Sequence, residues 1–277
     1  MNIEYSKPQP FMVGDKAFYT LTSYEPVKAR VIVPAVTDDD VKYALATLLM
    51  QMGATPEQFY DEQWFAEHFS EMESPEALLN EIRSELELVN QNFVAEQKAD
   101  ICRAELAKRL VQAVPAAHIA RTREAVQMSF EQSLAADGMT IDTFMEQTGA
   151  SRAQIENMLN EQARTVSEQE AALDAFARER KLVVEDGELP KLLGLPEDET
   201  KNLLAEARKA GQLSAVMDGA LRIKTLMLVM AECECEYHHE TPEESKARVE
   251  EAARLRAQYE NTTADDGADE PSGFSLV

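Results

Sequence analysis

Four side chains of metal-binding type fall within seven residues: Cys233, Cys235, His238 and His239. Thiolate and imidazole are ligands that zinc takes readily. Four ligands so close together cannot wrap one tetrahedral ion from a regular helix or strand, so the spacing favours a second reading. Ala231 to Glu240 alternates acidic and semi-apolar residues, as a strand or a helix exit does. His68 and His118 are isolated and read as packing or surface residues. Asp and Glu number 51, which makes close acidic pairs inevitable and uninformative. Gly194-Leu-Pro-Glu-Asp-Glu-Thr-Lys lacks the second glycine and the Gly-Lys-Ser/Thr ending of a phosphate loop. Neither a Gly-x-Ser-x-Gly elbow nor a His-Glu-x-x-His helix occurs. The motifs assign no catalytic residue, no cofactor and no metal, and point away from an enzyme.

Other residues suit non-covalent work. Met128, Met139, Met145 and Met158 cluster with Phe130, Ile141 and Phe144 in one stretch. A thioether chain repacks easily around different partners, so this set is the candidate client-binding surface. The bland alternative is that these side chains fill the seam of their own helices. A second concentration, Phe59, Tyr60, Trp64, Phe65 and Phe69, reads as an aromatic anchor packing one helix on another rather than as a ligand pocket.

Composition narrows the classes further. The chain of 277 residues carries a formal charge of −24, which argues against nucleic acid and against an anionic membrane surface as partners. Three cysteines without framework spacing fit a reducing cytoplasm. No basic-then-apolar leader is read in Met1–Lys7. The longest apolar run, Leu213 to Ala231, contains Asp218, Arg222 and Lys224 and reads as a buried helix that neighbours must cover.

The elements that position these residues are mostly helices. Ser74 and Pro75 open a run free of glycine and proline that Pro115 stops. As one helix of roughly 40 residues it would extend ~60 Å, longer than the ~50 Å of a compact globule of this length. Thr37 with Asp40 opens a helix that Gly53 ends, and Thr55-Pro-Glu-Gln58 opens another, carrying the aromatic cluster. A helix from Pro115 to Ala136, a two-turn helix from Thr140 to Gly149, and a long helix capped by Ser151 and Gln154 form a helical hairpin. Pro196 to Gly211 and Leu213 onward are two more helices, and Thr241 opens a charged one reaching about Glu260. Strand character is confined to Ala17–Thr22 and Lys28–Pro34. From Asn261 the sequence is too polar to bury anything and reads as a disordered acidic tail.

In order, these segments resemble trigger factor, the ribosome-associated chaperone family of bacteria. Arg30-Val-Ile-Val-Pro-Ala-Val-Thr-Asp-Asp-Asp-Val-Lys-Tyr-Ala-Leu45 is similar to that family's linker, and Ala77-Leu-Leu-Asn-Glu-Ile-Arg-Ser-Glu-Leu86 to its long helix. Val114-Pro-Ala-Ala-His-Ile119 looks like the point where its first arm leaves the body, and Ala210 to Leu226 like its closing helix. The resemblance covers roughly residues 28–240. It implies a mainly α fold, an elongated helical body with protruding helical-hairpin arms of the trigger-factor C-terminal or SurA-like kind, and a small β element near the N-terminus. The implied divisions are a strand and linker segment (1–36), a chaperone domain (37–240), a charged helix (241–260) and the tail (261–277). Within the chaperone domain they are a spine (74–114), a first arm (115–182) and a second arm with the closing helix (187–237). The family's isomerase domain has no room between Met52 and Ala54, and its Gly-Phe-Arg-x-Gly ribosome-docking loop does not occur. What the resemblance implies is an ATP-independent chaperone for unfolded or nascent polypeptides, without isomerase activity and without that ribosome contact. From a different class, a helical scaffold gripping one folded partner or a second copy of itself stays open.

Overall fold

The computed structural model describes residues 7–14 and 16–265. The protein is mainly α: the described residues form eleven α-helices, one short 3-10 turn and four short strands. They divide into two compact units, each built from separate stretches of chain.

The first unit comprises Met1–Lys28, Ala99–Glu234 and Arg254–Val277. Strands β1 (Phe11–Val13) and β2 (Lys16–Phe18) pair antiparallel, with Phe11 opposite Phe18 and Val13 opposite Lys16. Gly14 enters their turn at φ +58, a left-handed conformation glycine adopts without strain. Strand character was expected over Ala17–Thr22, but β2 ends at Phe18, and Leu21 instead makes an isolated bridge to Leu110. That bridge shortens the spine. Among the chain's remaining helices, α4 (Pro75–Lys108) stops six residues before the expected Val114. Arg109 O accepts from Thr22 N at 2.8 Å, and Val111 N donates to Thr20 O at 3.0 Å. The Arg109 guanidinium also donates to the carbonyls of Ser23, Glu25 and Pro26. Backbone and side-chain bonds to the N-terminal segment therefore replace the last helical turns.

Helices α5 (Ala116–Ala136), α6 (Ile141–Thr148) and α7 (Arg152–Glu179) form the hairpin. Thr140 and Ser151 each close a capping box, and Gly149 ends α6 in the left-handed region. A 3-10 turn (Asp186–Glu188), α8 (Leu189–Leu193), α9 (Glu197–Lys209) and α10 (Leu213–Glu232) complete this unit's helices. Its core joins Tyr19, Leu21, Val27, Cys102, Leu106 and Leu110 to Ala171, Ala172, Phe176 and Val229. Arg222 of α10 crosses to α7, with Nε and Nη2 on Asp174 at 2.9 and 2.8 Å and Nη1 on Glu170 at 3.0 Å. Contrary to the reading of α10 as covered all round, only Ala220, Thr225 and Val229 are buried, while Ile223 and Met227 are exposed.

The second unit comprises Ala29–Lys98 and Cys235–Ala253. Strand β3 (Lys28–Val33) lies beside β4 (Glu234–His239). Glu234 N donates to Val27 O and Glu240 N to Val33 O, so the two strands run in the same direction. Helix α1 (Asp38–Gln51) is capped by Thr37 and Asp40 as expected. The aromatic segment is two helices rather than one, α2 (Pro56–Phe59) and α3 (Glu62–His68). Asp61 caps α3 by accepting from Trp64 N, which restarts the helix and turns Phe59 and Phe65 into one core with Val41, Leu45, Leu49, Leu78 and Ile82. Three α4 side chains seven residues apart secure the end of β3 and the extended segment that follows it. Gln97 Oε1 accepts from Ile32 N, Asn90 donates to Pro34 O, and Arg83 donates to Val36 O. Helix α11 (Pro242–Asp265) runs five residues beyond the expected Glu260, so Asn261–Asp265 is helical rather than part of a tail. The rest of the expected tail lies outside the described residues.

Candidate functional site

The hairpin places six of the seven expected client-binding residues on its helices and Met139 in the turn between α5 and α6, in two degrees of exposure. Leu134, Ile155 and Leu159 are buried and form its seam. Arg123, at 15% side-chain exposure, locks α5 to α7: it pairs with Glu156 and donates to Asn160 at 3.0 Å and Gln127 at 2.9 Å. Met128 lies five residues on, about 140° around the helix from Arg123, and is 59% exposed. Met158 is 37% exposed. Phe130, Met139, Ile141, Phe144 and Met145 are half-buried. The Phe144 ring meets Phe130 edge-on, 5.5 Å between centroids, so the tip helix folds part of its apolar face back onto α5. These side chains carry no nucleophile, acid or base. What they offer is apolar surface on flexible stems.

Other titratable groups with shifted behaviour surround Arg222. Tyr19 has its pKa pushed up to about 12, by burial first and by the Asp174 charge second, against the opposing pull of Arg222. Burial raises the Glu170 carboxyl, Arg222 opposes that and Asp174 reinforces it. Burial works against the Arg222 charge, but Asp174, Glu170 and Asp218 overcome it and hold the guanidinium protonated. This is a charge clamp between α7 and α10, with its ions partnered.

Cys235, His238 and His239 lie on β4, the strand alternative of the sequence reading, and Cys233 caps the end of α10. Burial works against the Lys98 charge, but Cys235 and Tyr237 beside it together outweigh burial and favour the charged form. His238 points the other way, 3.6 Å from Glu244. Among the described residues no group of three or more His, Cys, Asp or Glu side chains is placed to hold one ion. His68 Nδ1 lies 2.8 Å from Trp64 O with its ring stacked on the indole, and His118 Nδ1 lies 3.3 Å from the Tyr19 hydroxyl. Phe59 and Phe65 are buried against Leu78 and Ile82, which makes the aromatic cluster core rather than pocket.

Sequence reasoning missed apolar surface in the second unit. Tyr43 and Met50 of α1 and Leu88 and Val89 of α4 are each more than half exposed, and Phe93 is 43% exposed. The signal was present, because Leu78, Ile82, Leu86, Val89 and Phe93 form one stripe. Only the first part of that stripe is covered, and a stripe does not state the length of its cover. Among the described residues no helix is long and apolar enough to cross a membrane.

No known protein family matches the chain, and no curated protein matches it. One solved structure similar to it is a crystal structure of a hypothetical Mycoplasma protein, MPN555. It is 11% identical, covering 84% of this chain and 97% of that one, at a TM-score of 0.41. A likeness at that level transfers neither fold nor function.

Proposed function

We propose that this protein is an ATP-independent holding chaperone of the cytoplasm, which keeps unfolded or nascent segments from aggregating and has no prolyl isomerase activity. The observation that carries the reading is the exposure of Met128 and Met158 on a hairpin whose tip is otherwise apolar and half-covered. Such a surface accepts apolar segments without demanding one sequence, because methionine adapts its rotamers to each. The test is suppression of aggregation of several unrelated denatured proteins, without ATP, by the full chain and by the pair Met128→Gln, Met158→Gln. Broad suppression weakened by the pair supports holding; no suppression of any client removes it.

A second reading, a scaffold for one folded partner or a second copy, is favoured by the exposed Val89–Phe93 stripe in the second unit. A stripe on a regular helix presents fixed geometry, which suits a fixed partner. Stoichiometric capture of a single partner, with no client range, would select it.

A further inference from the structure

We infer that helix α11 of one copy docks on the uncovered stripe of α4 in a second copy, and that the exchange is reciprocal. This rests on the second reading above, takes a second copy as the partner, and is independent of holding. The cover that α1, α2 and α3 give to α4 ends at Leu86. Beyond it Val89 and Phe93 continue the stripe, 60% and 43% exposed. Up to Gln97 the uncovered length is about three helical turns, ~18 Å. Pro34 and Val36 flank it, held along α4 by Asn90 and Arg83. The border is acidic. Residues 57–96 carry eleven carboxylates against one cation, Arg83, and that cation pairs with Asp38. Glu85 comes four residues before Val89 and Glu96 three after Phe93, so both share the side of the stripe and both are exposed.

An apolar stripe with an acidic border fits a helix of the opposite charge, and the chain contains one. Residues 246–256 of α11 carry Lys246, Arg248, Arg254 and Arg256 against Glu250 and Glu251, a cationic excess in a chain of formal charge −24. Val249, Ala252 and Ala253 share one face of that helix, at i, i+3 and i+4, and two alanines let a partner helix approach closely. The face lacks a cover: Val249 is 58% exposed, and from Pro242 to Arg254 only Ser245 is buried. Thus α4 offers an uncovered acidic-bordered stripe and α11 an uncovered basic face of similar length. Their positions suit a two-fold contact. Ser245 Oγ donates to Ala35 O at 3.5 Å, next to the Pro34 that Asn90 holds, so α11 starts beside the stripe. A two-fold axis then pairs each α11 with the other copy's α4 and uses both faces twice.

The test is sedimentation equilibrium of the full chain. A dimer is expected, with self-association about ten-fold weaker at about 500 mM salt than at about 50 mM, because the screening length shrinks to a few ångström. The stripe variant Val89→Ser, Phe93→Ser should weaken self-association about ten-fold, and so should the helix variant Lys246→Glu, Arg256→Glu. Both should keep the urea midpoint of the unaltered chain. An equimolar mixture of the two variants should associate better than either alone, because one intact α11 then meets one intact stripe. A chain that stays monomeric up to about 100 μM overturns the proposal. So does a dimer that neither variant weakens, or one that the mixture fails to restore. A monomer that captures one other protein stoichiometrically leaves the scaffold reading standing without self-pairing. A monomer with no fixed partner removes both.

Discussion

The two ends of the hairpin are built from different side chains. In the base of α7 the buried residues are mostly small, Ser167, Ala171, Ala172, Ala175 and Ala177, around Leu173 and Phe176. Alanine loses no side-chain freedom on burial and lets helices approach closely, so order there is cheap. Toward the tip Leu134, Ile155, Leu159 and Ala163 are buried, and the larger side chains around them are left half-covered or exposed. One pair of helices thus separates burial from apolar exposure along its length. A holding surface needs side chains that are not already committed to the core, and here they stand at the end remote from the Arg222 clamp.

The strongest break of that contrast is Phe176→Ala, which truncates a ring 2% exposed. It should cost about 3–5 kcal/mol in urea unfolding. A loss below about 1 kcal/mol would mean that the base is not the stabilising end. Next, Arg222→Met leaves Asp174 and Glu170 facing each other without their cation. The expected loss is about 1–2 kcal/mol, moderated because the Arg222 side chain is 28% exposed. Adding Asp174→Leu and Glu170→Leu should recover most of it.

The pair Phe144→Ser, Met145→Ser should fall between the extremes at about 1–2 kcal/mol, since Phe144 is half-buried on Phe130. A loss in the full core range would make the tip a core and strengthen the scaffold reading. The pair Met128→Gln, Met158→Gln should change stability by less than about 0.5 kcal/mol while lowering aggregation suppression.

The last effect concerns pH. The hydroxyl of Tyr19 titrates near 12 in the fold against 10 when unfolded, so its stabilising contribution is complete below pH 10 and is lost as pH rises toward 12. The stability difference between the wild-type protein and Tyr19→Phe should therefore shrink across that window. A difference independent of pH would mean that Tyr19 is not perturbed in the fold.

Much of the architecture was legible because it is encoded locally. Thr37 with Asp40, Thr140 with Thr143 and Ser151 with Gln154 satisfy orphan amides within one helical turn, and Gly138, Gly149 and Gly211 take the left-handed backbone that ends a helix. The errors fall where distant residues decide. Nothing between Lys108 and Pro115 forbids helix; Thr20, Thr22 and the Ser23–Pro26 carbonyls ended it from more than eighty residues away. Strand β1 escaped notice because three residues are too few for periodicity. The candidate surface was legible as composition, seven apolar residues in one stretch, but not as exposure.

The sequence by itself determined a mainly α chain, the extents of α1, α5, α6 and α7, and the placing of methionines and phenylalanines together near one hairpin tip. Helix periodicity, caps and charge are properties of neighbours along the chain, within reach of a few residues. Only the tertiary structure decided which of those methionines is uncovered, that Phe144 turns back onto Phe130, and that α10 leaves Ile223 and Met227 open. Burial belongs to pairs of elements brought together by folding. An apolar side chain reads the same in sequence whether a neighbour covers it or water does.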